Sequence, residues 1–225
     1  MKKFKALLVV ACALLLVAAS VFGTMAYLTS TTGEVKNTFT VGNVAITLDE
    51  AKVNVNGNPV DANGQEVELA KAPRVAGNQY KLIPSHEYTK DPTVHVTAGS
   101  EDAYVRMNVK VNNLDNLKAA FPADKYPDYY AAGDVFLLEK LVNGWESSKW
   151  ESKGFDANTA TYEFRYTAKA TAGADLPALF TSIVIPGTVD KAALENLGRV
   201  EIVITADAIQ AEGFDDAAAA WNAFQ

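Results

Sequence analysis

The side chains with the widest chemical repertoire are scarce in this sequence. There are two histidines, His86 and His95, and His86 is followed directly by Glu87. Zinc hydrolysis needs three protein ligands and an open position, commonly two histidines one helical turn apart with a glutamate as base. His86, Glu87 and His95 are therefore the candidates for zinc. Four residues after His86 the chain has Lys90, however, and both histidines fall in strand-and-loop sequence. The pattern favours two surface histidines over a helical zinc site. Asp61, Asn63 and Glu66 place oxygen ligands at spacings that half-match a calcium loop, but turn formation explains the same residue types. The one cysteine, Cys12, lies in an apolar N-terminal run, no Gly-x-Ser-x-Gly elbow occurs, and no glycine-rich phosphate loop is present. The expectation is a chain with no catalytic residues and no cofactor, neither zinc nor calcium.

The chemistry that the sequence does invite is performed on the chain. Lys2, Lys3 and Lys5 precede an apolar run from Ala6 to Phe22, and Thr24 and Ala26 supply the small-x-small pair that a signal peptidase requires. Cleavage is expected between Ala26 and Tyr27, making residues 1–26 a signal peptide. The competing reading is an uncleaved anchor, since the run lies at the lower edge of bilayer-spanning length. Val9-Val10-Ala11-Cys12 loosely resembles a lipoprotein site, but the apolar run continues well past Cys12.

Cleavage would leave residues 27–225 without a thiol, so stability must come from a hydrophobic core and not from disulfides. The net charge of −7 becomes more negative by three when the signal lysines leave, because no acid lies in residues 1–26. That balance argues against nucleic acid as a partner and against adhesion to anionic lipid. The membrane would be met only through the signal peptide, and the product is expected outside the cell.

The positioning elements begin with an alternation. Val35, Asn37, Phe39 and Val41 occupy odd positions, whereas Val44, Ile46 and Leu48 occupy even ones. A strand has a period of 2, so one face cannot carry both sets. A hinge at Gly42-Asn43 resolves the conflict and divides an N-terminal arm, residues 27–41, from a first core strand. Once freed by proteolysis, the arm has Phe39 and Val41 to bury, within its own subunit or on a neighbour. Beyond the hinge, residues 42–225 read as a single domain. Asn56-Gly57 and Asn63-Gly64 are turns. Tyr80–Pro84 and Thr93–Thr97 read as strands. Ala103, Val105, Met107, Val109 and Val111 form the buried face of the clearest strand, which pairs naturally with Thr93–Thr97. Residues 113–133 are a helical insertion whose tyrosines, Tyr126, Tyr129 and Tyr130, suit a cap over one end of the domain. Shorter strands follow at Val135–Leu141, Gly144–Trp150, Thr161–Thr167 and Phe180–Ile185. Val189–Leu197 suits a helix, and Val200–Ile209 reads as a central strand covered on both sides. A C-terminal helix capped by Asp215 packs through Phe214, Trp221 and Phe224. The fold class is all-β: an antiparallel, jelly-roll-like two-sheet sandwich with a few short helices and a C-terminal helix.

These pieces resemble a known family. The signal ending Gly23-Thr24-Met25-Ala26-Tyr27, the run Asn37-Thr38-Phe39-Thr40-Val41-Gly42-Asn43-Val44-Ala45-Ile46-Thr47-Leu48, the block from Lys90-Asp91-Pro92 to Tyr104-Val105-Arg106, and the ending Ala208 to Phe214 with Trp221 look like the TasA/camelysin (CalY) group of Gram-positive secreted proteins. Residues 113–190 carry no matching motif. The resemblance implies a jelly-roll subunit of biofilm matrix fibres, processed by a SipW-type signal peptidase and polymerising with itself, with or without an anchoring or accessory protein. It further implies that the freed arm completes the sheet of the next subunit through Tyr27, Leu28, Val35, Phe39 and Val41. Two other functions stay open at this point: a secreted metalloendopeptidase of camelysin type, and a monomeric cell-surface binding or accessory module whose arm folds back on its own sheet.

Overall fold

The alternation in Ala103–Asn112 generates the strand around which the core is built. In the computed structural model, which describes residues 43–224, this strand is β5 and its inward residues Ala103, Val105, Met107, Val109 and Val111 are all buried. Fully burying a side chain of this size contributes about 1.5–3 kcal/mol. In chain order the other strands are β1 (Ile46–Ala51), β2 (Arg74–Val75), β3 (His86–Thr89), β4 (Thr93–Val96), β6 (Tyr130–Ala131), β7 (Val135–Phe136), β8 (Val142–Asn143), β9 (Trp150–Asp156), β10 (Thr161–Tyr166), β11 (Ser182–Ile185) and β12 (Glu201–Gln210). The described residues also contain three α-helices: α1 (Leu114–Ala120), α2 (Lys191–Leu197) and α3 (Ala217–Ala223).

The architecture is an all-β sandwich of antiparallel sheets. One layer is the four-stranded sheet β12-β5-β10-β9. The sheets β2-β1-β4 and β3-β11-β8 contribute Ile46, Leu48, Tyr88, Val94, Val96, Ile183 and Ile185 to the same core. Even-numbered Ile46 and Leu48 pack on the core, as the alternation after the hinge requires. Gly42 and the arm, with Tyr27, Leu28, Val35, Phe39 and Val41, lie outside the described residues, as does the processing point Ala26. Asn43, the second residue of the expected hinge, is exposed just before β1.

Several readings need correction. β4 pairs with β1, from Ile46↔Val96 to Asp49↔Thr93, and not with β5. Val94 and Val96 meet the β5 residues within the core and not side by side, because the turn at Gly99 carries the chain from one sheet to another. Tyr80–Pro84 is not a strand. Tyr80 instead sends its hydroxyl to the Thr89 carbonyl at 3.0 Å. Residues 135–141 form only the two-residue β7 and a 3₁₀ turn at Leu138–Lys140, and the segment after Gly144 stays irregular until Trp150.

The insertion contains α1 and the β6–β7 hairpin. Its tyrosines do cap the core: the Tyr129 ring stacks on buried Phe121 at 5.3 Å, and Tyr130 meets Phe136 edge-on. At the C-terminus the capping side chain is Asp216, not Asp215; its Oδ1 accepts the Ala219 N–H at 2.8 Å. Helix α3 lies on the outer face of the four-stranded sheet. There Tyr104 and Trp221 are buried together, and the Arg106 guanidinium sits 4.8 Å from the Trp221 ring and 4.6 Å from Phe224.

Candidate functional site

Strand edges decide what a β-sandwich can recruit, because an edge presents a row of unpaired N–H and C=O groups. Most edges in this molecule are short, covered or charged. β2 and β8 have two residues each. The outer edge of β4 is covered by the loop between β10 and β11, through Leu176 N–H to Val94 O at 2.9 Å and Val96 N–H to Ala174 O at 2.8 Å. The outer edge of β3 is covered by the Asn56-Gly57 turn. β9 is exposed but carries Glu151 and Lys153, has Gly154 at φ +114°, and shifts register opposite Glu163/Phe164. Charge and a bulge are the usual protection against adventitious pairing.

Among the described residues β12 has neither a bulge nor a covering segment, and its charged side chains are Glu201 at its start and Asp207, which bonds Arg106. All ten of its residues pair with β5, from Glu201↔Asn112 to Gln210↔Ala103, and among the described residues nothing bonds to the backbone along its second edge. Ten residues at about 3.3 Å each make an edge roughly 33 Å long. The inward residues Ile202, Ile204, Ala206 and Ala208 pack on the core but stay partly exposed, whereas their β5 partners Val111, Val109, Met107 and Val105 are buried. The outward Val203 is 37% exposed. Among the described residues β12 is an edge and not the expected central strand, and its inner face is incompletely covered. β1 runs close to β12, so the chain leaving the hinge enters the fold beside this edge.

The other candidates serve local structure. His86 lies on β3, its Nε2 donating to the Asn56 carbonyl at 2.6 Å and its ring against Tyr88. Glu87 accepts from Ser182 Oγ and from Asn143 Nδ2, and these bonds hold its carboxyl below the usual range. His95 lies on β4 between two carboxylates, with Nε2 2.9 Å from Asp49 Oδ1 and Nδ1 2.6 Å from Asp175 Oδ1. Partial burial alone would lower the pKa of His95, but hydrogen bonds to Asp175 and Asp49, with their charges, outweigh it and raise the value. Both ring nitrogens then donate, which suits an imidazolium and not a metal ligand. Arg74 completes this network by bonding Asp49 and Asp91, each at 2.6 Å. Asp61 accepts the N–H groups of Asn63 and Gln65, capping its own turn, and Glu66 accepts from Asn54 and Asn58. Among the described residues no three His, Cys, Asp or Glu side chains converge as a metal site.

No protein-family model, curated protein or solved structure matches the chain. Sequence reasoning found the apolar run in β12 but not its position in the sheet. The missed signal was its neighbour, the equally long β5, which pairs along all of β12.

Proposed function

We propose that this is an exported structural protein of the TasA/camelysin kind, a subunit of extracellular matrix fibres. In this reading a SipW-type peptidase cleaves between Ala26 and Tyr27, and the released arm, residues 27–41, adds as a strand to β12 of another copy. The supporting observation is that, among the described residues, the second edge of β12 is unpaired beside the entry of the chain into β1. Strand addition gains about 0.5–1.5 kcal/mol net for each new main-chain hydrogen bond. Covering Ile202 and Ile204 adds apolar burial at about 25 cal/mol per Å². Side-chain pockets along the edge set register for Val35, Phe39 and Val41. A donor on one face and an acceptor on another make a heterologous contact, which propagates and does not close. While the arm is continuous with the signal peptide it is tethered, so cleavage is the switch.

The test is electron microscopy of the mature protein beside a variant lacking residues 27–41. Filaments are expected from the first and a folded monomer from the second. Monomers from both at high concentration would support the surface-module alternative. Chelator-sensitive cleavage of casein, lost on changing His86 and His95, would instead support the metalloendopeptidase.

A further inference from the structure

Glu50, in β1, is buried at 4% exposure, and two groups of complementary reactivity share its carboxylate. The Lys90 Nζ lies 2.5 Å from Oε2, and the Asn78 Nδ2 donates to Oε1 at 2.9 Å. The rest of Asn78 is fixed. Its Oδ1 accepts the Val53 N–H at 2.9 Å, and its Nδ2 also donates to the Ala51 carbonyl at 2.9 Å. A plain buried ion pair requires only the lysine and the glutamate. Here a carboxamide is held as well, with its carbonyl polarised by an N–H donor and its nitrogen against an acid. The nearby Asp91 is occupied by Arg74 and by the Ala51 N–H, so Glu50 is the carboxylate facing both partners. Both charged side chains are shielded from solvent, at 11% exposure for Lys90 and 5% for Glu50.

We propose that Lys90 and Asn78 form an intramolecular isopeptide bond, with Glu50 as proton relay. The lysine ammonium passes a proton to the Glu50 carboxylate along their hydrogen bond, giving a neutral amine and a neutral acid that are less costly to bury than two charges. The Nζ lone pair attacks Asn78 Cγ, and the oxyanion formed at Oδ1 is held by the Val53 N–H. Glu50 protonates Nδ2, the Cγ–Nδ2 bond breaks, and ammonia leaves as Nζ loses its second proton to the carboxylate. Amine plus carboxamide becomes secondary amide plus ammonia, with no oxidant or reductant. The bond ties the segment after β2 to the corner between β3 and β4. It gives a chain whose sole cysteine is Cys12 the covalent clamp that disulfides provide elsewhere. This inference does not depend on the fibre reading.

Mass spectrometry of the purified mature protein tests it. The intact mass should be about 17 Da below the sequence mass, the weight of ammonia, with one tryptic species joining the Asn78 and Lys90 peptides. Lys90→Arg and Glu50→Gln should restore the full mass. Asn78→Asp retains a carbonyl and should link with loss of water, about 18 Da, which keeps the test available if Glu50→Gln does not fold. Unlinked wild-type peptides at full mass overturn the proposal, and a linked Glu50→Gln protein overturns the role of Glu50.

Discussion

Replacing Ala206 by lysine should separate folding from assembly. Ala206 lies opposite Met107 on the inner face of β12, partly exposed because nothing described covers that side of the strand. A lysine there can lay its stem along the open edge and keep its ammonium in water. The cost to the folded monomer should be about 1 kcal/mol, within the ordinary range for a poorly covered position. Adding a strand beside β12 closes that exit. The ammonium must then be buried unpaired or its stem forced out of register, at a cost of several kcal/mol. Taking about 3–4 kcal/mol, the affinity of each subunit contact falls by roughly 10²–10³-fold. An inward-pointing charge is also a recognised way in which edge strands avoid pairing. The assay is the critical concentration for filament growth by light scattering, with the monomer melting temperature measured in parallel. A folded variant that polymerises at the wild-type critical concentration would refute the reasoning. Val203→Lys, on the outer face, is the matched control and should change that concentration much less.

Two further predictions concern stability. His95 is charged between Asp49 and Asp175, with Arg74 and Asp91 completing the cluster. Its raised folded pKa makes its contribution fully present below the ordinary value of 6.5 and lost as pH rises through the folded value. Asp49 acts oppositely. Partial burial works against its charged form, but bonds from Arg74 and His95 lower its pKa, so its share is lost only as pH falls below the ordinary 3.8. With Asp175 78% exposed, that pair lies at the weak end. His95→Gln should therefore cost about 1 kcal/mol, or roughly 2–4 °C, at mildly acidic pH. The deficit should disappear at alkaline pH, and a pH-independent deficit in thermal melts would exclude the ion-pair account. Gly57→Ala should be more damaging. At φ +80° the new Cβ would lie 2.7 Å from Tyr88 Cα, so the cost is roughly 2–4 kcal/mol from left-handed backbone and overpacking. Gly64, at φ +84° with nothing within 4 Å, should cost only about 1–2 kcal/mol on the same change. Equal losses in denaturant melts would show that the Tyr88 contact is not what constrains Gly57.

What could be read directly from the residues was whatever depends on near neighbours. The alternation in β5 and β10, the turns at Gly57 and Gly64, and the apolar side of α3 are all local patterns, and all occur where periodicity put them. Pairing was less legible. Val94 and Val96 have the same alternation whether β4 lies beside β5 or meets it through the core, and only the competing fit of β1 decides between them. The edge status of β12 was hidden for a similar reason, since an apolar strand looks the same at the centre of a sheet and at its rim. Tyr104 alternates away from the core-facing side of β5 and is buried because α3 returns over it from far along the chain. The Glu50, Asn78 and Lys90 arrangement joins residues up to 40 positions apart and leaves no periodic trace.

Cysteine cross-linking distinguishes an arm shared between subunits from one paired within its own, because residues 27–225 contain no native cysteine. One variant carries Val35→Cys in the arm and a second carries Ile204→Cys on the inner face of β12. Mixing the two mature proteins under mild oxidation should give a disulfide between different molecules, growing into a ladder when both changes are placed in one chain. A bond that forms only within the doubly substituted chain, with none between the mixed single variants, would show that the arm serves its own sheet and would contradict strand donation.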